Sequence, residues 1–330
     1  MSPSSRVWLE GARPRTLPAA VVPVVVGSSA GYLWSGRFVP TPVVLHGRTV
    51  LIGPIEHHQL SLVNAFLALI VALSIQVGTN YVNDYADGQR GTDDDRVGPG
   101  RLVGGKLATV QQVKIAAAIA FGVAGFAGLI LAARVTWWFI PLGGLCVLAG
   151  WAYTGGPKPY GYLGFGELFV FLFFGLVATA GSAYVQHAQF IAEFDYKPYN
   201  YAYPWTFVLW AGVPVGLLAC ALLQANNLRD IETDTFSGKK TLAVRLGRQG
   251  AGQLYVGTLM AIALSIGVLQ HYRGWSLIAL AALPLSFYPT RLALSERSGR
   301  RLLPLLSATS RLQLAVGGLL AVGFLLVRPG

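Results

Sequence analysis

Charge is what this sequence has least of. Asp, Glu, Lys and Arg make up 12% of its 330 residues while 54% are hydrophobic, about half the charged share of an ordinary soluble domain. So few charges cannot cover a water-facing surface, which excludes a soluble globular domain and points to lipid as the solvent. Cysteine is nearly absent too. Cys146 and Cys220 both fall in apolar runs without ligand spacing, so a disulfide framework and a thiolate metal site are excluded. The five histidines, His46, His57, His58, His187 and His271, all lie apart from the acidic clusters, and no imidazole centre is expected. Alternating segments of about ten residues are also missing, which excludes a transmembrane β-barrel.

What is present is a series of continuous apolar runs of about 20 residues, each long enough to cross a hydrocarbon core as a helix. They fall near 17–36, 61–82, 112–133, 136–152, 165–186, 204–226, 251–270, 274–292 and 311–328. The expected fold is therefore all-α: a polytopic membrane bundle of about nine transmembrane helices, one domain over residues 1–330. The first run, LPAAVVPVVVG followed by GYLW, extends beyond a signal-peptide core and is read as a retained span.

Nineteen of the 25 basic residues fall on the face that holds the N-terminus, leaving Arg37, Arg48, Arg134, Lys197, Arg273 and Arg328 on the other. The positive-inside rule makes the first face cytoplasmic, in a cell inner membrane. The net charge of +11 is thereby explained by topology. With no aromatic-interleaved basic stripe, nucleic acid is not an expected partner.

Eleven of the 14 acids share that basic face, mostly in two clusters. One closes the second span, in NYVNDYADGQRGTDDDRVGPGRLVGG, and the other closes the sixth, in NNLRDIETDTFSGKKTLAVRLG. Carboxylates at a membrane surface need a wet cavity and cationic company, since full desolvation costs several kcal/mol. The clusters also match in register: Asn83, Asp87 and Gly91 precede Asn226, Asp230 and Asp234 by 143 residues each. This suggests two four-helix pseudo-repeats around a central cavity. Positions four apart share a helix face, so each set presents its oxygens in one direction. Oxygen ligands without His or Cys suit a hard cation, and magnesium is typically held by one or two carboxylates together with substrate phosphates. Arg96, Arg101 and Lys106 after the first cluster, and Arg229, Lys239, Lys240 and Arg245 around the second, suit a diphosphate. Asp93, Asp94, Asp95 and Glu232 are more simply read as solvated charge.

These blocks, with ARPRTLP at Ala12 to Pro18 and WAYTGGPKPYGYLGFGE at Trp151 to Glu167, resemble the UbiA superfamily of intramembrane prenyltransferases along essentially the whole chain. Within it they are most similar to the 1,4-dihydroxy-2-naphthoate group of menaquinone synthesis. The wider superfamily often carries a third acid where this chain has Gly91, with Asp93 following in GTD. The resemblance implies a polyprenyl diphosphate donor and a 1,4-dihydroxy-2-naphthoate acceptor, joined with loss of the acceptor carboxyl group to give demethylmenaquinone. Magnesium, expected as two ions, draws its ligands from Asn83, Asp84, Asp87, Asp93, Asn226, Asp230 and Asp234. The cations Arg96, Arg101, Lys106, Arg229 and Lys239 are expected to bind substrate. Tyr153 and Lys158 are candidates to orient or deprotonate the acceptor, Arg15 and Arg13 are either topology signals or anion contacts, and Phe169, Phe171, Phe173 and Phe174 either face an allylic cation or pack.

Other acceptors, 4-hydroxybenzoate or homogentisate, stay open, as does a cation transporter. The acids' position at one face rather than at the midplane weighs against transport. If the matched register marks one catalytic centre, Asp87→Ala and Asp230→Ala each abolish prenyl transfer in membranes containing normal amounts of protein. Near-normal rates in both would reduce the clusters to surface charge.

Overall fold

The computed structural model describes residues 4–35, 39–45, 48–55, 60–90, 101–156, 159–194, 204–272, 275–295 and 299–326. Each expected span carries a helix. The chain enters through α1 (Ser5–Gly11), turns at Arg13 and the 3-10 segment Pro14–Thr16, and continues as α2 (Pro18–Ser35) at an angle of 55°. It proceeds through α3 (Leu62–Gln89), α4 (Val110–Arg134) and α5 (Phe139–Ala152). The fifth span is composite: α6 (Gly166–Val170), a π-helical stretch Phe171–Val177, and α7 (Ala178–Phe194). Then come α8 (Trp205–Phe236), α9 (Leu242–Leu269), a 3-10 segment Ser276–Ser286 leading into α10 (Phe287–Ser295), and α11 (Leu303–Leu325).

Among the described residues seven helices are long and apolar enough to cross a membrane, and the bent α1–α2 pair makes an eighth. The ninth, α5, has 14 residues, about 21 Å of helix against a hydrocarbon core of about 30 Å. A short antiparallel hairpin, β1 (Val39–Leu45) and β2 (Arg48–Ile55), follows α2. It lies outside every apolar run, and its Val, Ile and Thr content explains the extended backbone.

Local sequence sets the helix starts. Ser61 accepts a hydrogen bond from Asn64 N at the head of α3, Thr109 and Gln112 form a reciprocal capping box at α4, and Thr241 caps α9. More important for the site are the helix ends. Both α3 and α8 continue well past the apolar runs, to Gln89 and Phe236, so Asn83, Asp87, Asn226, Asp230 and Asp234 stand on helix and not on loop.

The halves pack unequally. Helix α8 is the hub: two thirds of its apolar window is buried, against one third for α4, and its side chains join α2, α9 and α11 in one large cluster. Large apolar side chains of α4, including Ile119, Val123 and Phe126, are exposed, as suits a lipid-facing surface. In lipid no water-driven force presses helices together, so close backbone approach carries weight. A Cβ on Gly175 would sit 2.5 Å from Gly216 Cα, and one on Gly216 would sit 2.7 Å from the Phe171 ring. This contact seats the π-helical stretch on α8. Gly216→Leu therefore lowers the apparent Tm of the detergent-solubilised protein, an overpacking cost of about 1–3 kcal/mol, while Gly257→Leu, where a Cβ meets nothing within 4 Å, leaves it unchanged. Equal Tm values would show that the contact tolerates separation.

Candidate active site

The last turns of α3 place Asn83, Asp84 and Asp87 in a buried environment, with Asp84 1% and Asp87 3% exposed. Their partners differ. Asp84 Oδ2 accepts from Leu102 N and Oδ1 from Val103 N, each at 2.9 Å. This clasp folds residues 101–108 back onto α3 and brings Arg101 to Asp87, Nη2 to Oδ2 at 3.4 Å. Asn83 accepts from the Thr154 hydroxyl.

At the end of α8, Arg229 grips Asp230 with two hydrogen bonds of 2.7 Å and reaches Asn226 Oδ1, also at 2.7 Å. Four residues beyond Asp230, Asp234 faces Lys239. The Lys239 ammonium lies 3.9 Å from Asp234 Oδ1 and 3.1 Å from Asp87 Oδ1. Two carboxylates from opposite halves of the chain thus share one cation, and the two helix ends meet on one side of the bundle. Asp87 has a further partner in the Tyr162 hydroxyl, whose ring lies 4.6 Å from the same ammonium.

The segment after α5 stitches these ends together. Arg90 donates to Thr154 O and Gly156 O at 2.7 Å each and to Tyr162 Oη at 3.2 Å. From the other half, Lys240 N donates to Tyr162 O and Arg245 Nη2 to Leu163 O, both at 2.9 Å. Burial, with the neighbouring carboxylates second, pushes the Tyr153 phenol well above its ordinary range; burial and then Asp87 do the same to Tyr162. The raised pKa values favour the protonated phenols, and the Tyr162 hydroxyl donates to Asp87.

Beneath this cluster opens a cavity of about 590 Å3. Asn83, Asn226 and Tyr153 line it alongside apolar residues of α2, α3, α4, α5 and the fifth span. Tyr160 stacks on Phe169 with ring centroids 4.1 Å apart, and Phe169 on Phe173 at 6.2 Å. Phe169, Phe173 and Phe174 line the cavity, while Phe171 is turned against Gly216.

The structure thus brings Asn83, Asp87, Arg101, Asn226, Arg229, Asp230, Asp234 and Lys239 to one rim. Asp84 differs from Asp87 in its partners: each of its oxygens accepts one backbone N–H of the 101–108 turn, which leaves further lone pairs on both. Lys106 is exposed on the 101–108 turn in left-handed backbone (φ 56°) and makes no described contact with the acids. Arg15 is likewise exposed; Arg13, in left-handed backbone itself (φ 54°), is the N-terminal cation that lines the cavity. Asp93, Arg96 and Lys158 lie outside the described residues. Sequence reasoning missed Tyr162, Arg90 and Thr154. All three stand inside the motif blocks, but nothing in a linear pattern tells a clamp from a ligand.

A model of the UbiA prenyltransferase family matches residues 44–303. The chain belongs to the UbiA prenyltransferase family. Among its UbiA relatives, a 1,4-dihydroxy-2-naphthoate octaprenyltransferase of Mycobacterium tuberculosis is 42% identical over 324 residues, covering 96% of this chain and 97% of that protein. The protein of the same name in Escherichia coli is 32% identical, with 98% and 96% covered. Among solved structures, a UbiA homolog from Aeropyrum pernix superposes with a TM-score of 0.63 at 14% identity, over 93% of this chain and 96% of that one. A UbiA homolog from Archaeoglobus fulgidus bound to DMAPP and Mg2+ superposes with a TM-score of 0.54 at 15% identity, over 96% and 99%. These similarities show the fold: a multi-pass membrane bundle.

The donor set fits a divalent ion of a particular kind. No group of three or more His, Cys, Asp or Glu side chains converges among the described residues, so a closed protein cage is absent there. Three carboxylates, Asp87, Asp230 and Asp234, and the amide oxygens of Asn83 and Asn226 stand on one rim, with Lys239 shared between Asp87 and Asp234; such a set matches an ion that completes its shell with phosphate oxygens. Because Lys239 competes for the same oxygens, Lys239→Met should tighten Mn2+ binding in the absence of substrate by about tenfold, or 1.4 kcal/mol, and weaken binding of inorganic pyrophosphate with Mn2+. Titration followed by Mn2+ electron paramagnetic resonance reads both. Weaker Mn2+ binding by the variant alone would mean that the ammonium organises the site.

Proposed function

We propose that this chain transfers a polyprenyl group from its diphosphate to 1,4-dihydroxy-2-naphthoate with loss of CO2, giving demethylmenaquinone in its quinol form and diphosphate. The supporting observation is the Lys239 bridge between Asp87 and Asp234, one helical turn from Asn83 and two from Asn226, which line a largely apolar cavity. One centre thereby offers oxygen donors, phosphate-binding cations and a water-poor space for a lipid chain. The acceptor is taken from the relatives that are at least 30% identical.

In this reading Asn83, Asp87, Asn226, Asp230 and Asp234 hold Mg2+, two ions in all, with Asp93 a further candidate. When bound, magnesium neutralises charge that grows on the departing diphosphate. Arg101, Arg229 and Lys239 share that task from the protein side, as cations placed where negative charge develops. As the donor carbon–oxygen bond breaks, its electron pair leaves with the diphosphate, and the allylic cation is left against the Phe169, Phe173 and Tyr160 rings. Ring faces stabilise a desolvated cation by about 2 kcal/mol or more, and the apolar walls keep water away. The acceptor ring carbon supplies the new carbon–carbon bond. Loss of CO2 returns an electron pair to the ring, so no external oxidant is needed. Tyr153 donates a hydrogen bond to an acceptor oxygen, and Lys158 is a second candidate for that task. The basic rim faces the cytoplasm and the membrane is the cell's inner one, as the distribution of Arg and Lys indicates.

Purified protein given Mg2+, a radiolabelled polyprenyl diphosphate and 1,4-dihydroxy-2-naphthoate forms a lipid-soluble prenylated product and releases diphosphate; chelation reduces this by about a thousandfold, the scale of losing a principal charge-stabilising group. Preference for 4-hydroxybenzoate or homogentisate in the same assay would reassign the acceptor, and product formed equally well in chelator would remove the metal.

A further inference from the structure

The cavity has one charged side chain among the described residues that line it, Arg13. A guanidinium facing apolar walls is costly without an acceptor. Yet Arg13 Nη2 is buried and has no hydrogen-bond partner, and no Asp or Glu lines the cavity with it. The chain does not leave Arg13 there by default. Its backbone is left-handed, at φ 54° and ψ 70°, a conformation that residues with a Cβ seldom adopt. The strained turn is held from both sides: Arg13 O accepts from Thr16 N at 2.9 Å and Thr16 Oγ1 at 3.0 Å. Asn80 Nδ2 donates to Ala12 O at 2.8 Å and to Thr16 Oγ1 at 3.2 Å, and Gln76 Nε2 donates to Thr16 Oγ1 at 3.3 Å.

These clamps also give the depth of the turn. Asn80 lies three residues before Asn83 and seven before Asp87 on α3, about 4.5 and 10 Å along the helix, on the cavity side of the rim. The diphosphate has its own cations at the rim, Arg101 and Lys239 on Asp87 and Arg229 on Asp230. Arg13 stands apart from that set, and its planar fork matches a carboxylate with two parallel hydrogen bonds.

Resting on the function proposed above, we infer that Arg13 is the binding group for the carboxylate of the aromatic acceptor. It anchors the ring inside the cavity below the diphosphate. The acceptor completes a buried guanidinium nitrogen that the protein leaves without a partner, so selection for a carboxylated ring is built into the turn between α1 and α2.

The test uses the full-length protein in lipid nanodiscs with Mg2+, and 1,4-dihydroxy-2-naphthoate and its decarboxylated analogue 1,4-dihydroxynaphthalene as probes. The wild type binds the naphthoate at least about tenfold more tightly than the analogue, the scale of a charge-assisted bidentate pair. Arg13→Gln raises KM for the naphthoate by a similar factor, leaves KM for the polyprenyl diphosphate within about twofold, and binds the analogue as the wild type does. Arg13→Lys, which keeps the charge and loses the fork, falls between. Unchanged donor KM shows that the site remains assembled. A rise in donor KM alone would assign Arg13 to the diphosphate and overturn the inference; equal loss of naphthoate and analogue would do so by making the residue a scaffold. If the wild type itself fails to bind the naphthoate, the functional reading falls and this one with it. If the wild type binds it and both variants bind it as tightly, only the role of Arg13 falls.

Discussion

A partly buried ammonium shared by two carboxylates from remote parts of the chain is the contact on which the rest of this structure turns. Lys239 can reach Asp87 and Asp234 together only if α3 and α8 end at the same level, on the same side, and within a side chain's length of each other. Removing one partner of such a pair leaves the other desolvated without compensation. That penalty makes the juxtaposition of the two helix ends part of the fold as well as of the chemistry. Tyr162 and Arg90 extend the same network into the segment after α5, so three separate stretches of chain are tied into one rim.

The unequal packing of the two halves has a complementary role. Helices α2, α8, α9 and α11 pack tightly, which holds the α8 acids in place, while α4 and α5 meet their neighbours through small residues and leave the cavity. A half with a large buried cluster carrying the second acid set and a half enclosing apolar space is a physical arrangement suited to gripping a polar head while admitting a long hydrocarbon chain. The π-helical stretch Phe171–Val177 lies where these regimes meet. It turns Phe171 into the packed side and leaves Phe173 and Phe174 to the cavity.

Much of this was legible in the linear chain. Runs such as LVNAFLALIVALSI specify a span because only helix satisfies backbone hydrogen bonds in lipid. The matched spacing of Asn83 and Asp87 with Asn226 and Asp230 marked one centre, because carboxylates near hydrocarbon need a common reason to be there. The division of labour within the first motif was not legible. Asp84 and Asp87 are three residues apart with the same side chain, yet one clasps the 101–108 turn and the other faces Lys239. The difference lies in where that turn folds back, which no local spacing encodes. The same holds for Arg13 and Arg15, separated by one residue, where a left-handed backbone at the first sends its side chain to the cavity and the 3-10 turn leaves the second exposed.

Composition and continuous apolar runs alone determined that this protein lives in a bilayer as a helical bundle, and the charge distribution assigns most of its acids and bases to one face, because solvent selects for those properties residue by residue. Only the tertiary structure decided which of the like-charged side chains meet. Pairing at distances near 3 Å depends on how helices bend, end and approach, and those quantities are settled by packing across the whole chain and not by any stretch of it.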